Sequence, residues 1–446
     1  MAAPQLDVAV VGAGAAGLAA AARLADEGCT VAVLEARERI GGRILSVHAP
    51  GLPSVVELGA EFIHGQASAT LELLRRAGRA ALDTAGQRWT LRDGHLTQRE
   101  NLFAQVQRLL RGVEHLEHDV SVQDYLARRA REPGTEAART YARMMVEGFD
   151  AADPARASVR AIASEWSGGE LGQGQFRPAG GYADLMAHLA GQLDGQRAQL
   201  RLGTVVEAVD WGGAGVRLSA SSAAGPLQLR ARCALITLPV SLLKQSPPAR
   251  GAVRFEPALE AKRIALGGLE VGAVVKVVLH FRRALWEEPG HGAYRDAGFL
   301  HAPGARFPTF WSALPLRLPV LTAWSGGPRA RELAALERDA LVSTALDSLE
   351  QIFGRGLGLR DALVGAYVHD WVADPYCRGA YSYVLVGGEH AADALAQPLD
   401  AKLYFAGEAT CAGSSGTVEA ALASGGRAAG EILAQLHQQA SSEQRE

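Results

Sequence analysis

The sequence predicts an α/β fold, of the two-domain α+β kind. One domain is a doubly wound module, the other a mixed sheet with helices. Three observations predict it. Residues 8–18 read VAVVGAGAAGL, an apolar run entering glycines at Gly12, Gly14 and Gly17. The chain has 446 residues, more than one hydrophobic core comfortably supports. From Ser68 to about Ala179 the pattern changes to amphipathic helix, which has to pack on something else.

Leu6–Val11 is a continuous apolar run, suited to a parallel strand buried on both faces. The alanine-rich stretch Ala15–Glu27 reads as helix and Thr30–Glu35 (TVAVLE) as a second strand, completing a βαβ unit. In a Rossmann-like unit of this kind, Gly12 permits the tight turn. Gly14 lets backbone approach a pyrophosphate, and Gly17 lets helix and strand pack closely. The helix N-terminus, at Ala15 and Ala16, supplies N–H donors. Glu35, followed by Ala36, ends the second strand where a carboxylate accepts from a ribose hydroxyl and repels a 2′-phosphate. Arg37–Ile44 (RERIGGRI) adds a second glycine approach at Gly42 and a cation at Arg43.

Further along, Leu102, Val106, Leu109, Leu110, Val113 and Leu116 fall at helical spacing. Arg201–Leu218 and Leu227–Leu238 alternate as strands around the turn signal Gly212-Gly213. Gly272–Phe281 (GAVVKVVLHF) is a strand with Lys276 at its centre, and neither face reads as solvent. A lysine there is costly without a partner or a wet cavity. Arg331–Phe353 is expected as one helix, Ala401–Ala406 as a short strand, and Thr417 to about His437 as a terminal helix. The tail from Gln438 is expected to fray.

Formal net charge is −3 and the pI is near 6.5, so nothing argues for nucleic acid or an anionic membrane as partner. No apolar run approaches the ~18 residues of a membrane helix. The first strand starts near residue 6, leaving no room for a signal peptide. Cys29, Cys233, Cys377 and Cys411 lack metal-ligand spacing. A cytoplasmic protein in a reducing compartment is expected, with no metal site.

The motifs together resemble the flavin-containing amine oxidase superfamily. The likeness is to its polyamine oxidase and lysine-specific histone demethylase branch and to bacterial-type monoamine oxidases. ELGAEFIHG (57–65), RPAGGYADL (177–185), ALITLPVSLL (234–243), HDWVADPYCRGAYSYV (369–384), LYFAGEAT (403–410) and SGTVEAALASGGR (415–427) occur in the family's order. The resemblance implies non-covalent FAD. The cofactor would meet Gly12, Gly14, Ala15, Ala16, Gly17, Glu35, Ala36, Gly42 and Arg43. It would also meet Gly59, Ala60, Glu61, Val206 over the adenine, Pro239, Trp371, Gly407, Glu408, Thr417 and Val418. Lys276 would hold a water near the flavin N5. Tyr381 would form one wall of an aromatic slot, and His64 would line the substrate tunnel with a charge that varies near neutral pH. Thr417 stands where monoamine oxidases have a second tyrosine, so the two-tyrosine cage is absent. Ala380 replaces the cysteine that attaches FAD covalently in those enzymes.

The implied reaction is hydride transfer from a polyamine or related amine to flavin N5, giving imine and aldehyde. Oxygen then returns the flavin to its oxidised form and yields hydrogen peroxide. The active site would lie between an FAD domain (1–67, 180–250, 385–446) and a substrate domain (68–179, 251–384). An L-amino-acid oxidase would need an arginine fork, with Arg160, Arg177 and Arg306 as candidates. A polyamine site would use carboxylates, with Asp150, Asp153 and Glu165 as candidates. An FAD-bearing binding or regulatory protein without amine turnover is the third alternative. The particular amine and the oligomeric state stay open.

Overall fold

The computed structural model describes residues 6–84, 86–98, 102–167, 174–193 and 195–443. Its first sheet has eight strands. Leu6–Val11 pairs in parallel with Val31–Leu34 on one side and with Gly225–Ile236 on the other. Ala198–Arg201 extends the parallel set beyond Val31–Leu34, and Leu403–Phe405 joins Gly225–Ile236, also in parallel. The antiparallel strands Val205–Asp210 and Val216–Ser222 continue the sheet, and Arg254–Glu256 closes its edge.

The βαβ reading holds, with helix Ala15–Asp26 between the first two strands. This helix, the terminal helix Val418–Glu443 and helix Tyr182–Gly191 cover one face. Their shared core includes Val8, Val10, Leu18, Leu24, Leu185 and Ile432. Alanines at 16, 20, 21, 428 and 429 keep that contact thin, so the two long helices approach closely. The terminal helix does not fray at Gln438. It runs to Glu443, with Leu436 buried and Gln439 accepting a hydrogen bond from Arg232 at 2.8 Å.

The second sheet has seven strands, ordered Leu363–Val368, Val274–Phe281, Val320–Gly326, Thr309–Ser312, Ala297–His301, Gln87–Arg92 and His95–Gln98. Val274–Phe281 lies inside this sheet and is buried at every position. A core of Val277, Leu279, Phe281, Phe307, Phe310 and Leu349 backs the sheet.

Three expectations are corrected. The segment 68–179 is not purely helical: Ala81–Asp83, Gln87–Arg92, His95–Gln98 and Gln175–Pro178 are strands. Strand Gln87–Arg92 pairs with Ala297–His301, about 200 residues away, a partner no local pattern announces. The helix predicted across 102–116 stops at Leu109. Gly112, at φ 81°, turns the chain into a short 3-10 segment, Val113–His115. The helix predicted across 331–353 is two, Gly327–Leu333 and Arg338–Phe353. Glu337 turns extended (ψ 155°), which lets Leu333 and Leu341 enter the same core from helices on different axes.

Candidate active site

The glycine turn is tight for stated steric reasons. A Cβ on Gly17 would lie 2.0 Å from the Gly12 carbonyl oxygen. A Cβ on Gly12, at φ +107°, would lie 2.7 Å from Thr237 Oγ1. Gly17 therefore seals helix to strand. Gly14 has open space before it, so its backbone can be approached. The first helical N–H groups, at Ala15 and Ala16, have no acceptor within the helix. Glu35 is buried and accepts from Ala13 N at 2.9 Å and Arg37 N at 3.0 Å.

These groups open onto a cavity of about 820 Å³ that runs from the glycine turn to the face of the second sheet. Every residue assigned above to the cofactor, together with Lys276, Tyr381 and His64, lines it except Gly17. Gly12, Gly14, Ala15, Ala16, Glu35, Ala36, Gly42, Arg43 and Val206 are gathered at one end. Gly59, Ala60, Glu61, Pro239, Trp371, Gly407, Glu408, Thr417 and Val418 follow along the walls, with Lys276, Tyr381 and His64 beyond.

Thr417 caps the terminal helix: its hydroxyl accepts from Ala420 N at 3.0 Å. The Val418 N–H is left without an intrahelical acceptor, and Val418 lines the cavity. The Glu408 carboxylate binds Arg43 at 2.8 Å, Ser382 Oγ at 2.7 Å and Gly416 N at 3.0 Å. Burial pushes this carboxyl upward, and Arg43 with the two other donors brings it below its ordinary value. Trp371 is buried and donates to the Leu58 carbonyl at 2.8 Å.

The Lys276 side chain is 2 % exposed on an interior strand. Its ammonium donates to Glu61 Oε2 at 2.6 Å and to the Gly59 carbonyl at 3.1 Å, and stands 5.5 Å from the Trp311 ring. Glu61 Oε1 accepts from Arg177 Nε at 2.9 Å and from Trp311 Nε1 at 3.0 Å. Burial raises the Glu61 carboxyl, and Lys276 and Arg177 more than reverse this, holding it below its ordinary value.

Tyr381 donates to the Phe149 carbonyl at 2.6 Å. A Cβ on Gly416 would lie 2.8 Å from the Tyr381 ring, so the loop before the terminal helix presses on it. Tyr381 and Trp324 pack on one small cluster of Ala151, Val274 and Ala380. Trp324, on the second sheet, is thus a second aromatic side chain on the cluster that Tyr381 packs on. Phe62, His64, Phe149, Phe299 and Trp311 continue the aromatic lining through ring contacts of 5.3–6.1 Å. No motif flagged Phe149, Phe299 or Trp311, because strand pairing and loop closure bring them beside Phe62 and His64.

His64 differs from expectation in charge. Burial, with Arg88 nearby, pushes its imidazole down to about 4, so it is neutral at neutral pH. His301, also lining the cavity, falls to about 4 for the same reasons.

Of the acidic candidates, Asp150 and Glu165 line the cavity and Asp153 does not. Asp150 is buried. Its Oδ1 accepts from Trp166 Nε1 at 3.4 Å, and its Oδ2 has no partner among the described residues. Burial first and Glu165 second raise its carboxyl well above the ordinary value. Of the candidate arginines, Arg177 is held by Glu61, by the Ser312 carbonyl at 2.9 Å and by the Leu314 carbonyl. Arg160 pairs with Glu389 at 3.1 Å, and neither Arg160 nor Arg306 lines the cavity. Arg88 does, 5.2 Å from the Phe299 ring. Among the described residues, no helix is long and apolar enough to cross a membrane.

The flavin containing amine oxidoreductase family model matches residues 15–433. Polyamine oxidase 2 of Arabidopsis thaliana is 28% identical over 459 residues, covering 94% of this chain and 86% of that protein. Lysine-specific histone demethylase 2 of Homo sapiens is 26% identical, covering 96% of this chain and 53% of that protein. The chain thus spans about half of the demethylase. Among solved structures, wild-type putrescine oxidase bound to putrescine superposes with a TM-score of 0.81 at 22% identity, covering 97% of this chain and 99% of that one. Cyclohexylamine oxidase from Brevibacterium oxydans IH-35A gives 0.79 at 23%, covering 97% and 100%. At these identities the superpositions establish the fold.

Proposed function

Because the chain belongs to the flavin containing amine oxidoreductase family and is a flavin-dependent amine oxidoreductase, we propose that it binds FAD without a covalent link and oxidises a polyamine or related amine carrying a second nitrogen. The observation that carries the substrate reading is Asp150, a buried carboxylate on the cavity wall with one oxygen unpartnered.

The cavity fits such a cofactor. Its far end offers an approachable glycine backbone, free helix N–H groups and the buried Glu35 carboxylate. These suit a pyrophosphate and a ribose hydroxyl. The Val418 N–H at a helix N-terminus suits a ring that gains negative charge. Ala380 and the buried Cys377, whose thiol burial raises to about 11, offer no reactive thiolate for attachment.

When bound, the flavin supplies acceptance of a hydride from the amine α-carbon and, after return of the electrons to oxygen, hydrogen peroxide. The chain supplies position and electrostatics. Tyr381 and Trp324 flank an amine lying flat and exclude water. Lys276, held by Glu61 and the Gly59 carbonyl, would offer the bound flavin a fixed ammonium. His64 and His301 stay neutral and do not repel a second ammonium. Asp150 with Glu165 receives that ammonium, and its arrival favours the ionised carboxylate.

An α-amino acid fits less well. Its carboxylate lies next to the oxidised carbon, and Arg177 is already paired. Arg88 sits four strands from Lys276 in the sheet, roughly 19 Å at ~4.8 Å per strand.

The test mixes flavin-loaded protein anaerobically with diamines, triamines, monoamines and amino acids while the flavin absorption is followed. Bleaching by di- and triamines is expected. Asp150→Asn should weaken their half-saturation about tenfold and leave monoamines within about twofold, since a charge-assisted contact is worth ~1.5–3 kcal/mol. No bleaching by any amine defeats the oxidase reading. Equal losses for mono- and diamines defeat the role of Asp150.

A further inference from the structure

Glu61 lies in the loop between the strands Val55–Glu57 and Ile63–His64, two residues from the cradle glycine Gly59. Its carboxylate reaches three elements at once: Lys276 and Trp311 on the second sheet, and Arg177 on the strand Gln175–Pro178. We propose that Glu61 is a positioning residue for Lys276, clamping the lysine ammonium between the cofactor loop and the aromatic substrate wall. This rests on the flavin amine oxidation reading.

A lysine ammonium has three donors. Glu61 and Gly59 take two, which aims the remaining one. Without the carboxylate the lysine stem has four rotatable bonds and only a carbonyl to hold it. Trp311 is tied to the same carboxylate, so wall and ammonium keep a fixed separation. A structural ion pair would need one partner. Here one oxygen serves the lysine and the other serves arginine and tryptophan. An amide of equal size cannot copy this. Glutamine has one acceptor oxygen, and its NH2 would face either the ammonium or two N–H groups.

The experiment is a double-mutant cycle on the flavin-loaded protein: wild type, Glu61→Gln, Lys276→Met and the pair. Two readouts are taken: stopped-flow rates of flavin reduction and reoxidation, and the absorption spectrum of the bound oxidised flavin without substrate. Glu61→Gln is expected to slow the same step as Lys276→Met, by about 10- to 100-fold, since small misplacements of a reacting group cost that much. It should shift the flavin band in the same direction and add less than about twofold in the Lys276→Met background. Glu61→Asp, which keeps the charge, should recover part of the rate, again only while Lys276 is present, and serves if Glu61→Gln does not fold. Multiplying effects, or an unchanged rate and spectrum in Glu61→Gln, would overturn the proposal. If no amine reduces the wild-type flavin, the function has failed. The spectral arm then still decides the clamp: matching shifts support it, and unlike shifts overturn it.

Discussion

The two ends of the cavity are built differently. At the cofactor end the wall is largely backbone: Gly12, Gly14, Gly42 and helix N–H groups, with Glu35 and Glu408 as buried acids. At the substrate end it is side chains: Tyr381, Trp324, Trp311, Phe299, Lys276 and Asp150. Backbone that approaches a ligand has no rotamers to lose and little room to relax. Side chains can be retuned one at a time. Changes at the first end therefore decide whether cofactor and fold exist. Changes at the second decide which amine reacts and how fast.

The sharpest attempt to break this contrast is Gly17→Val. Its Cβ would lie 2.0 Å from a backbone oxygen that cannot swing aside. A loss above about 4 kcal/mol is expected, with bound flavin lost as well. A variant that melts normally and retains full flavin would show that the backbone wall is pliable.

A second prediction concerns the substrate end and pH. His64 and His301 titrate near 4 in the fold against 6.5 ordinarily. The folded state therefore binds fewer protons than the unfolded chain between these values. The stability each contributes is present above pH 6.5 and is lost as pH falls toward 4. Each is worth at most roughly 3 kcal/mol at 1.36 kcal/mol per unit. Replacing His64 with Gln should flatten the acid limb of melting temperature against pH while flavin content at pH 7.5 is unchanged. An acid limb of unaltered slope would mean that His64 is wet.

The smallest effect is expected where the two ends meet. Thr417→Ala removes the cap of the terminal helix and should cost about 1 kcal/mol. If the first turn orders the Val418 N–H, the flavin dissociation constant should rise severalfold. Unchanged flavin affinity would separate the cap from the cofactor.

The same contrast explains what could be read without coordinates. Gly12, Gly14, Gly17 and Glu35 fall within one βαβ unit of local contacts, and their arrangement follows from spacing. Lys276 was legible as a buried cation because both strand faces were apolar. Its partner Glu61 was not, since 215 residues separate them and the acid sits in a glycine-rich loop that reads as cofactor contact. Trp324 was equally hidden: strand pairing alone sets it opposite Lys276. The strands at 81–98 lay unseen because their pairing partners are distant. The break at Glu337 escaped because helical periodicity continues across it. Asp150 and Asp153 look alike in sequence, and loop geometry turns only the first into the cavity.

On the proposed reading a flavin and an amine share this one cavity in contact, one at each kind of wall. The most direct measurement titrates the flavin-loaded protein with a bis-guanidinium analogue of a diamine, which carries the charges but no oxidisable amine. Calorimetry and the visible flavin band are recorded together. One-to-one binding with a saturable shift of the band is expected, weakened together in Asp150→Asn. One-to-one binding with an unmoved band, or a protein that holds no flavin, would contradict that reading.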